Sequence, residues 1–225
     1  MSPDVELSAV SLHLDGRRIL EDVSLRLTAR RTAVIGANGS GKSSLVRLLN
    51  GLHVATTGSV RVAGLDPVRN TRDVRRRVGF VFADPDAQIL MPTPAEDLAL
   101  SLRDVPAPER TARVEEALEW CGLGALRDAP ATELSGGQKQ LLALASVLIG
   151  RPDLVVADEP TTRLDLRNSR RIGDALLELE MPLVLVTHDL DLARRCDEVV
   201  LIEQGRVLAQ GAPDDVISAY LQVCA

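Results

Sequence analysis

Eight residues constrain this chain more than any others: Gly36-Ala37-Asn38-Gly39-Ser40-Gly41-Lys42-Ser43. They fit the pattern G-x-x-x-x-G-K-[ST]. The apolar run Thr32-Ala33-Val34-Ile35 just before them predicts a strand. Leu45, Leu48 and Leu49 recur at helical spacing just after, so a helix is predicted over Ser43 to Leu52, with Gly51 near its end. Between a strand and a helix, such a loop can turn its backbone N–H groups inward, because glycine adopts conformations that a Cβ forbids. The result is a cradle for phosphate oxygens, reinforced by the partial positive charge of the helix start. Lys42 is placed to reach the outer phosphates of a nucleotide, and Ser43 to offer its hydroxyl to Mg²⁺.

A second anchor is Leu154-Val155-Val156-Ala157-Asp158-Glu159, four apolar residues ending in two carboxylates. At the C-terminal end of a buried strand, Asp158 would hold the Mg²⁺ shell and Glu159 would polarise an attacking water. Phosphoryl transfer needs little covalent help, but it needs in-line positioning and charge neutralisation. Both anchors together point to binding and hydrolysis of Mg-ATP. A switch GTPase would add an N-K-x-D base reader, and that pattern is absent.

Around these anchors the chain reads as strands and helices. Val5, Leu7 and Ala9, then Val10, Leu12 and Leu14, alternate with polar residues. Asp15-Gly16 follows as a hairpin turn, and Val23, Leu25 and Leu27 alternate again. The N-terminal region therefore predicts antiparallel strands. Val78 to Phe82, Asp153 to Ala157 and Leu183 to Val186 are short apolar runs; the last two are nearly all apolar, as in parallel strands buried on both faces. From Asp84 to about Pro130, six prolines punctuate helical patterns at Glu96–Leu102 and Glu109–Cys121, which reads as a helical insert. Gln138 to Gly150 is helical, and Gln204-Gly205 joins two terminal strands.

Bulk properties exclude several classes. The 225 residues fit one domain, carry a net charge of −6, and give no electrostatic footprint for a nucleic-acid backbone. Arg75-Arg76-Arg77 is the one tight basic run and reads as solvated surface. With 2% aromatics, the core must be aliphatic. Cys121, Cys196 and Cys224 form no metal spacing or CxxC pair, as expected in a reducing compartment. No apolar run approaches the ~18–20 residues of a membrane span.

Between the anchors lies Leu134-Ser135-Gly136-Gly137-Gln138, and here the chain resembles the ATP-binding cassette (ABC) ATPases, whose signature reads LSGGQ. The order of elements also matches: phosphate loop, helical insert, signature, DE-ended strand, histidine. The resemblance covers Val5 to Ser218. It implies an α/β P-loop cassette over residues 1–225, with a RecA-like parallel-sheet core at 1–83 and 150–225. An N-terminal antiparallel β subdomain and a helical signature subdomain at about 84–149 complete it. It implies that ATP contacts the residues Gly36 to Ser43, then Ser44, with Leu14 where relatives stack an aromatic on adenine. Glu159 and His188, in Thr187-His188-Asp189, are the implied catalytic residues, and Ser43 and Asp158 the implied Mg²⁺ ligands. Residues 134–138 would cap ATP bound to a second cassette. Leu164 and Asp165, in Thr161-Thr162-Arg163-Leu164-Asp165, are similar to the D-loop at the dimer seam.

Two positions depart from the family pattern. Ala83 stands where relatives carry a glutamine that ligates Mg²⁺, and Gln88 is not an evident replacement. Leu14 cannot π-stack on a base. In finer detail, Phe82-Ala83-Asp84-Pro85-Asp86-Ala87-Gln88 and Thr93-Pro94-Ala95-Glu96-Asp97 resemble the energy-coupling-factor importers of vitamins and metal ions, with a likeness to the biotin type. That resemblance implies a second cassette (a copy or a paralogue), a transmembrane coupling protein and a separate membrane substrate-binding subunit. It places the chain peripherally on the cytoplasmic face of the membrane, without direct substrate contact. Another ABC importer or a multi-chain exporter is the alternative.

Overall fold

The computed structural model describes residues 3–224. Strands β1 (Val5–Leu14) and β2 (Arg17–Leu27) pair antiparallel. Asp15 and Gly16 take φ values of 49° and 74°, as a two-residue hairpin turn requires. The alternation in β1 changes phase because the strand bulges. Its register shifts between Leu7 and Val10, and Ala9 turns out to solvent at φ 49°. Ala9 is therefore not part of the inward face that simple alternation gives it. A strand the apolar pattern does not mark, β4 (Thr57–Val62), pairs with the other edge of β1. Gly58 is required there, since a Cβ would lie 2.3 Å from the carbonyl oxygen of bulged Ala9.

The second sheet has the order β5-β6-β7-β3-β8-β9. It comprises β3 (Arg31–Ile35), β5 (Val78–Val81), β6 (Leu154–Asp158), β7 (Leu183–Val186), β8 (Glu198–Glu203) and β9 (Arg206–Gly211). All neighbours pair parallel except β8 with β9. The period-2 geometry of a strand sends successive side chains to opposite faces. Ala33, Ile35, Val155, Ala157, Leu183 and Leu185 accordingly join one apolar cluster, and Val34, Leu154, Val156, Val184 and Val186 join the other.

Helices cover both faces. On the second cluster's side lie α1 (Lys42–Leu48), α2 (Thr71–Arg77) and the three-stranded sheet. Opposite are α3 (Pro94–Leu100), α4 (Ala107–Cys121), α5 (Gly136–Leu148), α6 (Leu166–Leu177), α7 (Leu190–Arg194) and α8 (Pro213–Val223). Helix α1 stops at Leu48, four residues before the expected end. The arginine run forms the last turn of α2, where cations complement the helix C-terminus. Arg75 is not merely solvated, because its Nε donates to the Asn50 carbonyl at 3.3 Å. The buried residues of α6, namely Ile172, Gly173, Leu176 and Leu177, are hidden in sequence by an arginine-rich exposed face. All three cysteines are free; burial pushes the Cys121 thiol up and that of Cys196 up to about 12. Among the described residues, no helix is long and apolar enough to cross a membrane.

Candidate functional site

The parallel strands β3, β6 and β7 all end on one edge of the sheet, and ligands in open α/β sheets bind beyond such carboxyl ends. From β3 the chain enters the loop Gly36–Ser43. Gly36, Gly39 and Gly41 take φ values of 145°, 78° and 107°. A Cβ on Gly36 would come within 2.0 Å of the Ile202 carbonyl oxygen, and one on Gly41 within 2.8 Å of Leu20. The loop is thus wedged between β8 and β2 and cannot carry side chains at these positions. The hairpin turn after β8 fastens it, with the Gly205 N–H donating to the Ser40 carbonyl at 2.9 Å.

Lys42 is 4% exposed and its Nζ donates to the carbonyls of Gly36 (3.0 Å) and Ala37 (2.9 Å). Burial pushes its ammonium below the usual value, against the pull of Glu159, Asp158 and Glu203. A cation held this way, folded over its own loop, is one that a polyphosphate would stabilise. The Ser40 hydroxyl is buried with no hydrogen-bond partner among the described residues. An orphaned donor inside a glycine cradle fits a phosphate oxygen. Asn38 and Gly39 form the exposed tip of the loop, and Ser44 is half-buried in the first turn of α1.

The Ser43 hydroxyl donates to Asp158 Oδ1 at 2.7 Å, so strand β6 brings together the two oxygens assigned to Mg²⁺. One hydroxyl and one carboxylate suit a cation that keeps several waters and takes the rest of its shell from phosphates. Among the described residues there is no cluster of three His, Cys, Asp or Glu side chains that could hold a metal alone. The other Asp158 oxygen accepts from Arg47 Nη2 at 3.2 Å. Sequence reasoning missed Arg47. Its signal was the i, i+4 spacing from Ser43 on α1, which puts both side chains on one face.

Glu159 follows β6 with φ 52°, a conformation rare for residues other than glycine and tolerated where the surroundings enforce it. Its carboxylate is held twice. Oε1 lies 2.7 Å from His188 Nε2, and Oε2 accepts from the Thr162 hydroxyl at 3.1 Å. His188 reaches it from the end of β7, next to β6 in the sheet. The two residues named from separate motifs are therefore in direct contact.

The signature lies at the start of α5. Ser135 and Gln138 form a capping box, the Ser135 N–H donating to Gln138 Oε1 at 2.8 Å. Leu134 is buried in the core, while Ser135 and Gly136 face solvent. Gly137 is buried, and a Cβ on it would lie 2.6 Å from the Asn168 side chain. That glycine thus has a reason within its own chain, besides the contact across a dimer expected from the motif. Asp165 caps α6 by accepting from the Asn168 N–H at 2.8 Å, and half-buried Leu164 packs on the core.

The two departures have clear surroundings. Ala83 borders a cavity of about 150 Å³ with Asp84, Gln140, Lys139 and Arg163. Gln88 is engaged inside the chain, accepting from the Phe82 N–H at 3.1 Å and donating to the Ala143 carbonyl at 3.1 Å. Leu14 ends β1 opposite Arg17 and packs, half-buried, on the cluster beneath α1.

Comparison with known proteins places this geometry. The family described as ABC transporter matches residues 20–162. The chain is 48% identical over 218 residues to a provisionally named ABC transporter ATP-binding protein of Deinococcus radiodurans, covering 96% of each. It is 37% identical over 224 residues to the biotin transport ATP-binding protein BioM of Rhizobium etli, covering 99% of this chain and 100% of that one. The solved structure of cbiO1 from Clostridium perfringens, part of the ABC transporter complex cbiONQ, superposes with a TM-score of 0.86 at 29% identity. That match covers 98% of this chain and 93% of the other. With a glycine cradle, a buried lysine and a carboxylate–histidine pair assembled on one sheet edge, the chain belongs to the ABC transporter family, as an ATP-binding and ATP-hydrolysing subunit.

Proposed function

We propose that this subunit powers an energy-coupling-factor type importer of a vitamin, biotin in the first instance, or of a metal ion. The observation that carries the hydrolytic reading is the meeting of Glu159 and His188 at 2.7 Å beside the Lys42 cradle. Lys42 and the loop amides bind the phosphates, and Gly36 to Ser44 line the nucleotide. Glu159 orients the attacking water and takes up its proton, while His188 holds the carboxylate in place and faces the terminal phosphate. Ser43 and Asp158 would hold Mg²⁺, which supplies charge neutralisation on the phosphates.

The start of α5 is exposed, and the phosphate loop of the same chain already offers one phosphate cradle. Ser135 and Gly136 at that helix start, with the neighbouring D-loop Leu164 and Asp165, cap ATP bound to a second cassette in a head-to-tail pair. ATP then bridges the halves, and its hydrolysis lets them part. Closure draws together the helices of a transmembrane coupling protein seated on the helical region, and the transported solute sits on a separate membrane subunit. The likeness to BioM and to cbiO1 supports the importer type, as do the Phe82–Gln88 and Thr93–Asp97 segments.

Glu159→Gln tests the mechanism. It should reduce turnover at least a hundredfold and accumulate an ATP-bound dimer in gel filtration. Continued turnover by a monomeric Glu159→Gln protein would refute it. Co-purification of the tagged chain from its native membrane tests the importer type, since it should bring down two further membrane proteins, and uptake of labelled biotin should depend on Lys42.

A further inference from the structure

The segment after β5 and the loop after β6 are joined by an ion pair. Asp84 Oδ2 lies 2.6 Å from Arg163 Nη1. Asp84 Oδ1 accepts from the Asp86 N–H at 3.1 Å, and Asp86 Oδ1 lies 2.7 Å from Lys139 Nζ on α5. On the other side, Arg163 follows Thr162, whose hydroxyl and N–H bond the Glu159 carboxylate and carbonyl at 3.1 and 3.3 Å. Polar contacts therefore run from the signature helix through Asp86 and Asp84 to Arg163, and the peptide bond from Arg163 to Thr162 joins them to the Glu159–His188 pair. They pass alongside the cavity that Ala83 leaves.

We infer that Arg163, acting through Asp84, is a positioning residue for Glu159. The inference rests on the reading of Glu159 as the group that orients water. Glu159 sits in an unfavourable backbone conformation at φ 52°, so its carboxylate direction depends on what holds the loop Pro160–Leu164. Two side chains hold the carboxylate itself, His188 on one oxygen and Thr162 on the other. Thr162 is exposed on a short turn whose ends are fastened by Ser169 Oγ, which donates to the Thr161 and Leu164 carbonyls at 3.3 Å each. Arg163 ties the middle of that turn to Asp84, which is itself locked into the turn at 84–87. Displacement of residues 84–86 or of α5 then reaches the Glu159 carboxylate through Arg163. Both partners are largely exposed, at 68% and 41% of their side chains, so the pair adds little to global stability. Its effect falls on geometry.

A double-mutant cycle of Asp84→Asn, Arg163→Gln and the two combined tests this, measured as steady-state ATPase of the full chain in its assembled transporter. Each single variant should lower kcat at least threefold, with KM for ATP within twofold and an unchanged thermal midpoint. A threefold loss corresponds to about 0.65 kcal/mol in the barrier. The double variant should be no slower than the worse single one, because the pair acts as a unit. A smaller drop in either single, a shift carried mainly by KM, a lowered thermal midpoint, or effects that multiply in the double would each overturn it. Glu159→Gln assayed alongside separates the two readings. If that variant keeps turnover, the role of Glu159 is wrong; if it does not while the cycle fails, only the role of Arg163 is.

Discussion

Substituting Gly137 by alanine separates the packing of the signature glycine inside its own chain from the contact proposed for it with a second cassette. A methyl group there would sit 2.6 Å from Asn168 Cγ and Oδ1 and 2.9 Å from Nδ2. Asn168 cannot swing away freely, because its Nδ2 donates to Asp165 Oδ2 at 2.7 Å. Forcing a methyl into such a contact costs about 1–3 kcal/mol. Gly137 is not in a positive-φ conformation, so the backbone tolerates alanine and gains up to about 1 kcal/mol of helix propensity. The net expectation is a loss of about 1 kcal/mol, or roughly 2–4 °C in Tm for a chain of this size. With Asn168→Ala already present, the obstruction is gone. Gly137→Ala should then be neutral or stabilising by up to about 1 kcal/mol. Urea unfolding without nucleotide measures all four proteins, provided the slope m is constant. If Gly137→Ala shifts stability equally in both backgrounds, within about 0.5 kcal/mol, the close approach does not explain the glycine. Because Asn168→Ala also frees Asp165 of the D-loop, ATPase activity of the double variant is read against Asn168→Ala alone, and it should stay below it.

Three further outcomes are expected. Lys42→Met should abolish the ATP-induced rise in Tm and raise the Tm of the nucleotide-free protein, because burial disfavours the Lys42 charge; a lower nucleotide-free Tm would contradict this. With the folded-state value below the unfolded 10.5, that penalty is fully present below the folded-state value and is relieved as pH rises through it toward 10.5, so the gain should shrink in alkali. Leu14→Tyr should tighten ATP binding by about 2–12-fold, the equivalent of ~0.5–1.5 kcal/mol for an aromatic contact, while the parent shows only modest selectivity between ATP and GTP; a parent preference of several hundred-fold in competition binding would refute it. Ala83→Gln, directed into the cavity of about 150 Å³ beside Asp84 and Gln140, should lower the Mg²⁺ concentration for half-maximal ATPase or strengthen its coupling to transport. Unchanged rate, Mg²⁺ dependence and transport would show that position 83 is inert.

Local patterns carried far in this chain. The apolar runs at β3, β6 and β7 and the hairpin turns at Asp15-Gly16 and Gln204-Gly205 were legible, because burial on both faces and positive φ each leave a composition signature. What stayed hidden had its signal diluted. Strand β4 exposes four of its six residues, and α6 turns three arginines to solvent. The bulge at Ala9 was hidden too, since a phase slip in alternation looks like an ordinary apolar residue.

Of the site, the sequence by itself determined which residue types must be present. A glycine loop before Lys42 and Ser43, carboxylates closing an apolar run at Asp158 and Glu159, and a capped helix start at Ser135 are each dictated by short-range chemistry and chain spacing. Tertiary structure alone decided how they meet. Strand order brings His188 to Glu159, and packing puts Arg47 on Asp158, Asn168 against Gly137 and Arg163 on Asp84. Partners 29 to 111 residues apart carry no mutual signal in one chain, because the sheet and the packing of α5 on α6 create their proximity only after folding.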